Sequence, residues 1–150
     1  MQTIALVGNG TYFDCAQLLH TYTVVIALDG GYSFCQKNQV EPTVTLGDGD
    51  SVERPPKNFI TVLDQTTTDL QKGLAYIQQH YQDYQIDLFG CTSHDRLDHT
   101  LIAINLLANH HTIRSLYTPY QHLQMIHQQH KIQNVSDFSL LPLTATAQVE

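Results

Sequence analysis

The chain has 150 residues, and a domain of that length buries roughly two-thirds of its unfolded surface without disulfides or a structural metal. With 42% hydrophobic residues and a formal charge of −7 from 14 acids against 7 bases, the composition excludes a disordered chain and a basic nucleic-acid-binding module. The acidic field repels anions, so any phosphate must be held by a few local donors or through a metal.

Cys15, Cys35 and Cys91 are odd in number and widely spaced. The lack of a Cys-x-x-Cys pair argues against zinc and redox chemistry and for a reducing, cytoplasmic compartment. No apolar run approaches the roughly 18 residues of a membrane span, so no membrane partner is expected. Met1 to Val7 reads as a first buried strand and not as a signal peptide.

The first half alternates short apolar runs with amphipathic stretches, the pattern of a mostly parallel sheet with helices on both faces. Thr3 to Val7 is a strand ending in Gly8-Asn9-Gly10, and Tyr12 to His20 a helix capped by Thr11. Val24 to Leu28 ends at Asp29-Gly30-Gly31 and leads into a short helix from Tyr32 to Asn38. Thr43 to Leu46 ends at Gly47-Asp48-Gly49-Asp50-Ser51, and Phe59 to Leu63 runs into Asp64-Gln-Thr-Thr-Thr-Asp69. Leu70, Leu74, Ile77 and Tyr81 recur at helical spacing, with Thr66, Thr67 or Thr68 as the cap. Ile86 to Phe89 is a fifth strand, and Leu97 to Asn109 a helix whose buried face is Leu97, Leu101, Ile104 and Leu107 or Ala108. Beyond His110-His111 the runs Ile113 to Tyr117, Leu123 to His127, Lys131 to Gln133 and Phe138 to Leu143 lack helices between them. They predict a mostly antiparallel section. The expected division is a Rossmann-like α/β domain over residues 1–118 and a short β section over 119–150.

In an open parallel sheet the ligand crevice lies beyond the carboxyl ends of the strands, and the carboxylates of this chain gather there. Asp29 follows the second strand, Asp48 and Asp50 the third, Asp64 and Asp69 the fourth, and Asp98 opens the helix after the fifth. A single loop Asp is more often a turn or cap residue, whereas four converging loops are not explained that way. Asp48-Gly49-Asp50 suits a hard cation such as Mg²⁺, which recruits phosphate oxygens. Gly8-Asn9-Gly10 could cradle a phosphate at the next helix's N-terminus, but it lacks a full G-x-G-x-x-G and a Walker lysine. Arg96-Leu97-Asp98-His99 places a guanidinium, a carboxylate and an imidazole at one helix start. Lys72 is either a second phosphate ligand or a solvated helix lysine. His110-His111 and His127 with His130 lack ligand partners at a recurrent spacing and read as surface histidines.

Taken in order, Asp29-Gly-Gly31, Gly47-Asp-Gly-Asp-Ser51, Asp64-Gln-Thr-Thr-Thr-Asp-Leu70 and Gly90 through Arg96-Leu-Asp-His99 resemble the ordered motif set of thiamine pyrophosphokinases. The resemblance covers about residues 4–143. It implies transfer of an intact pyrophosphoryl group from ATP to the hydroxyl of thiamine with Mg²⁺, giving thiamine diphosphate and AMP, in a homodimer with sites between subunits. Residue by residue, it implies that Asp48, Asp50 and Asp69 hold magnesium and the triphosphate, that Asp98 joins them or binds the nucleotide side, and that Arg96 contacts phosphate. Asp50 or Asp98 would accept the alcohol proton. Asp29 and Ser51 match motif positions, and with Gly8, Asn9, Gly30, Lys72 and His99 they make up the expected ATP site. Phe138-Ser-Leu-Leu-Pro-Leu143 resembles the opening of the family's thiamine-binding β-sandwich, which makes residues 119–150 its shortened counterpart. Three positions depart from the family pattern. Thr66 stands where a further acid is usual, Ser93-His94-Asp95 replaces a Gly-Gly pair before the arginine, and Ala103 stands where asparagine is common. The alternatives are a related pyrophosphokinase with another acceptor, such as a hydroxymethylpterin, and a shortened non-catalytic nucleotide binder.

Overall fold

The computed structural model describes residues 1–50, 54–126, 133 and 137–141. Seven strands form one sheet: β1 (Gln2–Val7), β2 (Val24–Leu28), β3 (Val44–Gly47), β4 (Phe59–Thr61), β5 (Tyr84–Phe89), β6 (Ile113–Tyr117) and β7 (His122–Gln124). Their spatial order is β4-β3-β2-β1-β5-β6-β7. All neighbours are parallel except β6 and β7. The helices are α1 (Ala16–Leu19), α2 (Gly31–Lys37), α3 (Asp69–His80) and α4 (Leu97–Asn109).

Central strands in such a sheet are covered on both sides and need near-continuous apolar sequence, which Val24-Val-Ile-Ala-Leu28 supplies with every residue buried. One core layer joins Leu6, Ile26 and Leu88 to Leu74 and Ile77 of α3 and Ala103 and Leu107 of α4. The opposite layer joins Val7, Ala27 and Phe89 to Leu19 of α1 and Cys35 of α2. Helices therefore cover both faces, as expected. The three thiols are buried in these layers, and burial pushes them up to about 11 for Cys15 and about 12 for Cys35 and Cys91. Among the described residues, no helix is long and apolar enough to cross a membrane.

Three expectations change. The first helix starts at Ala16 with Cys15 at its cap, not at Tyr12 with Thr11. The Tyr12 ring instead stacks on Phe34 and its hydroxyl donates to the Gly8 carbonyl, which holds residues 12–14 out of the helix. Secondly, α4 buries Ala103 and Leu107, while Leu97 and Leu101 are 67% and 56% exposed. The helix is apolar around most of its girth, so periodicity alone cannot choose which stripe meets β6. Thirdly, β6 is parallel to β5, and the antiparallel section begins only at β7, which joins the same sheet beyond residue 118. Residues 138–141 form no strand. His127, His130 and the expected strand positions 131, 132, 142 and 143 lie outside the described residues.

One buried ionic group was not legible beforehand. Asp87, in the middle of β5, has no solvent exposure. It accepts hydrogen bonds from Arg114 Nε at 3.0 Å, from Arg114 Nη2 and from the Tyr22 hydroxyl at 2.5 Å.

Candidate functional site

Chain order reverses between β1 and β5, so the binding crevice of an open α/β sheet falls at their carboxyl ends. The backbone draws the two loops together there. Gly8 N donates to the Phe89 carbonyl at 2.8 Å, Gly10 N to Gly90 at 2.6 Å and Thr11 N to Thr92 at 2.7 Å. The Gly8 and Gly10 amides are thus occupied, and α1 begins six residues after Gly10. Gly8-Asn9-Gly10 is therefore not the helix N-terminal cradle its composition suggested. The Asn9 carboxamide lies on Gly30, where a Cβ would collide with it.

Asp29 takes a left-handed backbone (φ 40°) at the end of β2. Its amide donates to the Leu46 carbonyl at 2.6 Å, and its side chain is buried against Gly47. Its Oδ1 and Thr45 Oγ1 are buried without a hydrogen-bond partner among the described residues. Gly31 brings the start of α2 onto the end of β1, since a Cβ there would sit 2.6 Å from the Gly8 carbonyl oxygen and against that of Val7. Backbone oxygens cannot step aside as a side chain can. Gly31→Ala is expected to destabilise the fold by about 1–3 kcal/mol, measured by urea unfolding. A change below about 0.5 kcal/mol would contradict the close approach.

A first group of polar residues gathers at the ends of β3 and β4 and the start of α3. Asp48 Oδ1 accepts the Asp50 amide at 3.1 Å, and its Oδ2 is 3.4 Å from Gln65 Nε2. These hydrogen bonds, the amide first, hold the Asp48 carboxyl below its usual range. Gly49 makes the turn at φ 90°, which favours glycine. The Asp50 side chain is exposed, and Ser51 lies outside the described residues. Thr68 caps α3 in a reciprocal box with Gln71. Asp69 follows in the first turn, 3.0 Å from Lys72 Nζ. Gln65 was not among the expected site residues. Its signal was its place beside Asp64 at a strand end.

Asp64 is held by the Thr66 hydroxyl at 2.6 Å, the Thr67 hydroxyl at 2.6 Å and the Thr66 amide at 2.8 Å, which pull it down to about 2. Thr66, the residue that replaces an acid of the family pattern, is thus spent on this turn. A carboxylate held low in the folded state stabilises it fully above the ordinary value of 3.8 and loses that contribution as pH falls toward about 2. Asp64→Ala is expected to lower Tm equally at pH 7 and pH 5, with the gap closing between pH 3.8 and about 2. A gap that persists undiminished at pH 2 would contradict this.

A second group sits at the end of β5 and the start of α4. Arg96 grips Asp98 with two hydrogen bonds, Nε to Oδ1 at 3.0 Å and Nη2 to Oδ2 at 2.8 Å, and this pair pulls Asp98 down to about 2. His99 Nε2 lies 3.9 Å from Asp98 Oδ2. Where the family pattern has glycines, Ser93 exchanges hydrogen bonds with Thr100, and its hydroxyl donates to Asp95. Beside this loop is a hollow of about 200 Å³, lined among others by Thr11, Thr92, His94, Thr118 and Tyr120. A larger hollow of about 410 Å³, with Gln2, Thr23 and Arg114, lies at the amino ends of the strands, the wrong end for the crevice of such a sheet.

The two groups flank the crevice. β2 and β1 separate β3 from β5, which spaces the groups by about 14 Å at roughly 4.8 Å per strand. No hydrogen bond or ion pair among the described residues joins them. Both α3 and α4 start at this edge, so two helix N-termini add positive potential beside the carboxylates. Among the described residues, no three His, Cys, Asp or Glu side chains converge to hold a metal. The hard oxygen donors fit Mg²⁺ in its commonest mode, one or two carboxylates shared with substrate phosphates and water.

Known proteins agree with this architecture. A comparison with curated proteins found no match. Among solved structures, the thiamine pyrophosphokinase from Bacillus subtilis is similar at 25% identity and a TM-score of 0.65, over 77% of this chain and 60% of that one. The enzyme from Geobacillus thermodenitrificans is similar at 22% identity and 0.64, over 77% and 59%. The one from Candida albicans gives 19% and 0.62, over 77% and 56%. The chain thus spans less than two-thirds of the length of each of these relatives. The profile described as thiamin pyrophosphokinase, catalytic domain, matches residues 15–118, from the cap of α1 through the end of β6, and the chain belongs to that family.

Proposed function

We propose that this chain is the catalytic part of a thiamine pyrophosphokinase, transferring pyrophosphate from ATP to the hydroxyl of thiamine and releasing AMP. The observation that carries this reading is the family match over residues 15–118, within which the four motifs reach the carboxyl edge of one sheet. Residues 1–118 are the nucleotide-binding domain in this reading, and 119–150 the counterpart of the thiamine-binding β-sandwich. The working form is a homodimer with sites shared between subunits. A reducing, cytoplasmic setting agrees with three buried thiols.

Such a transfer needs charge neutralisation and in-line positioning more than a covalent nucleophile. Asp48, Asp50 and Asp69 would hold Mg²⁺, which when bound neutralises the triphosphate and orients its oxygens. Arg96 contacts the phosphoryl oxygens, and Asp98 keeps the guanidinium fork in place. Asn9, Asp29, Gly30 and Ser51 shape the nucleotide side, with Gly8 behind them, and Lys72 and His99 add positive charge. Asp50, whose side chain is exposed beside the crevice, takes the proton from the alcohol as the new O–P bond forms and the bond to the departing AMP breaks; Asp98, tied up by Arg96 and pulled down to about 2, is the weaker candidate for that proton.

The test is AMP release from Mg-ATP with thiamine, a hydroxymethylpterin or no acceptor. AMP that depends on thiamine supports the reading. Release with the pterin alone would replace the acceptor, and release with neither would overturn the catalytic reading.

A further inference from the structure

The two faces of the sheet are covered unequally. α3 and α4, of 12 and 13 residues, pack on one face, whereas α1 on the other has 4 residues and ends at Leu19. At 1.5 Å per residue that helix is roughly 6 Å long, far shorter than the strands it covers. On this face the amino ends of the strands are left with the hollow of about 410 Å³, lined among others by Thr3, Leu18, Tyr22, Thr23, Arg114 and Tyr117. Behind the lining is the fully buried Asp87. Arg114 grips it with Nε and Nη2, the side edge of the guanidinium fork, and Tyr22 closes it off with its hydroxyl. A guanidinium has five N–H donors, so three remain at the end of the fork, and the Arg114 side chain is 41% exposed. Among the described residues, neither that end nor the side-chain hydroxyls of Thr3 and Thr23 make a hydrogen bond.

We propose that this hollow is a second binding site, at the opposite edge of the sheet from the four motifs, for a small ring-bearing oxyanion. Its carboxylate or phosphate group takes the free end of the Arg114 fork, and its ring lies against Tyr22, Tyr117 and Leu18. A buried ion pair adds little stability over apolar residues of the same size, but here it fixes a fork. With one edge locked by Asp87, the guanidinium presents the other already oriented, so an oxyanion meets a paired set of donors without first ordering a long side chain. Asp87 is thus a positioning residue. The walls are braced as well: Tyr117 stacks between Phe89 at 4.8 Å and His122 at 4.2 Å, and Tyr22 meets Phe89 edge-on at 5.7 Å. Apolar and aromatic walls with a few convergent polar groups are the make-up of a small-molecule site. No carboxylate lines the hollow, so in a chain of net charge −7 an anion meets little local repulsion there. β1 rises about 17 Å between this edge and the crevice, which keeps the two sites apart.

The test is an NMR titration of the isotope-labelled chain with benzoate and with phenyl phosphate. The reporters are the backbone amides of Thr3 and Thr23 and the Arg114 Nε–H, assigned by its loss in Arg114→Lys. Saturable shifts at these groups are expected with a Kd of about 1 mM or below for at least one probe, and the tighter of the two identifies the anionic group. Neutral benzamide and ring-free inorganic phosphate are expected to bind at least about tenfold more weakly. Thr23→Glu puts a carboxylate into the hollow without touching the Asp87 pair and should weaken binding at least about tenfold, while its melting curve stays that of the unaltered chain. Arg114→Lys keeps the charge but not the fork and should weaken binding about tenfold, with a melt to show that the variant is folded. Asp50→Asn, at the other edge, should leave binding within about twofold. Shifts confined to residues 48–50 and 96–99 would place the anion at the carboxyl edge and overturn the proposal. Benzamide binding as tightly as benzoate, unchanged affinity in Thr23→Glu, or no saturation by about 20 mM would overturn it equally.

Discussion

Asp48→Asn or Asp50→Asn is expected to lower thiamine-dependent AMP release by at least about a hundredfold, the size typical of losing one electrostatic partner of a transition state. Asparagine has nearly the same shape and keeps a side-chain oxygen. At position 48 it can still accept the Asp50 amide that closes the Gly49 turn. What it removes is the negative charge and the second hard oxygen through which, in the proposed mechanism, a cation shared with phosphate would be held. Neither aspartate is part of the buried core, so both variants should melt within about 0.5 kcal/mol of the unaltered chain. Catalysis and folding are thereby separated. Turnover retained within tenfold in both variants would remove these aspartates from the mechanism and leave Asp69 and Asp64 as the acids to examine.

The largest effect on stability is expected far from the crevice. Arg114→Met leaves the buried Asp87 carboxylate with only the Tyr22 hydroxyl as partner; because Arg114 itself is 41% exposed, the cost is expected at about 2–3 kcal/mol, below that of a fully buried pair. Adding Asp87→Asn to that variant should recover part of the loss, because the orphaned charge rather than the missing attraction dominates the cost. Urea unfolding of the single and double variants measures this directly. If the double variant is as unstable as the sum of the singles, Asp87 is not held as an ion and the argument fails. AMP release below the unfolding transition should be unaffected, since Asp87 and Arg114 lie in the strands and not at their carboxyl edge.

How much was legible in the sequence depended on the distance between partners. β2 and α3 were readable because their signals are local: five consecutive buried residues in one, and in the other Leu70, Leu74 and Ile77 at helical spacing behind a threonine cap. The Asp29, Asp48, Asp69 and Asp98 positions were readable because a parallel sheet delivers every βα loop to the same edge. The failures needed knowledge of a neighbour. Leu97 and Leu101 fit a helical stripe as well as Ala103 and Leu107 do, and only the position of β6 decides between them. Tyr12 and Phe13 have the apolar character of a helix start, but Phe34, more than twenty residues onward, draws the Tyr12 ring away. Asp87 interrupts an apolar strand without local explanation, and its partners come from 65 residues before and 27 after. Lys72, whose side chain is only 7% exposed and so not that of a solvated helix lysine, could not be assigned from spacing to Asp69 alone, because an exposed i,i+3 pair and a buried one have the same sequence.

The measurement that bears most directly on the central claim is phosphorus NMR of a reaction containing Mg-ATP, thiamine and the purified chain. Transfer of an intact pyrophosphoryl group predicts AMP and thiamine diphosphate appearing in equal amounts, with no ADP at any time. ADP with thiamine monophosphate, or inorganic pyrophosphate released without thiamine diphosphate, would contradict the account, because the carboxylate edge would then serve phosphoryl transfer or hydrolysis and not pyrophosphoryl transfer.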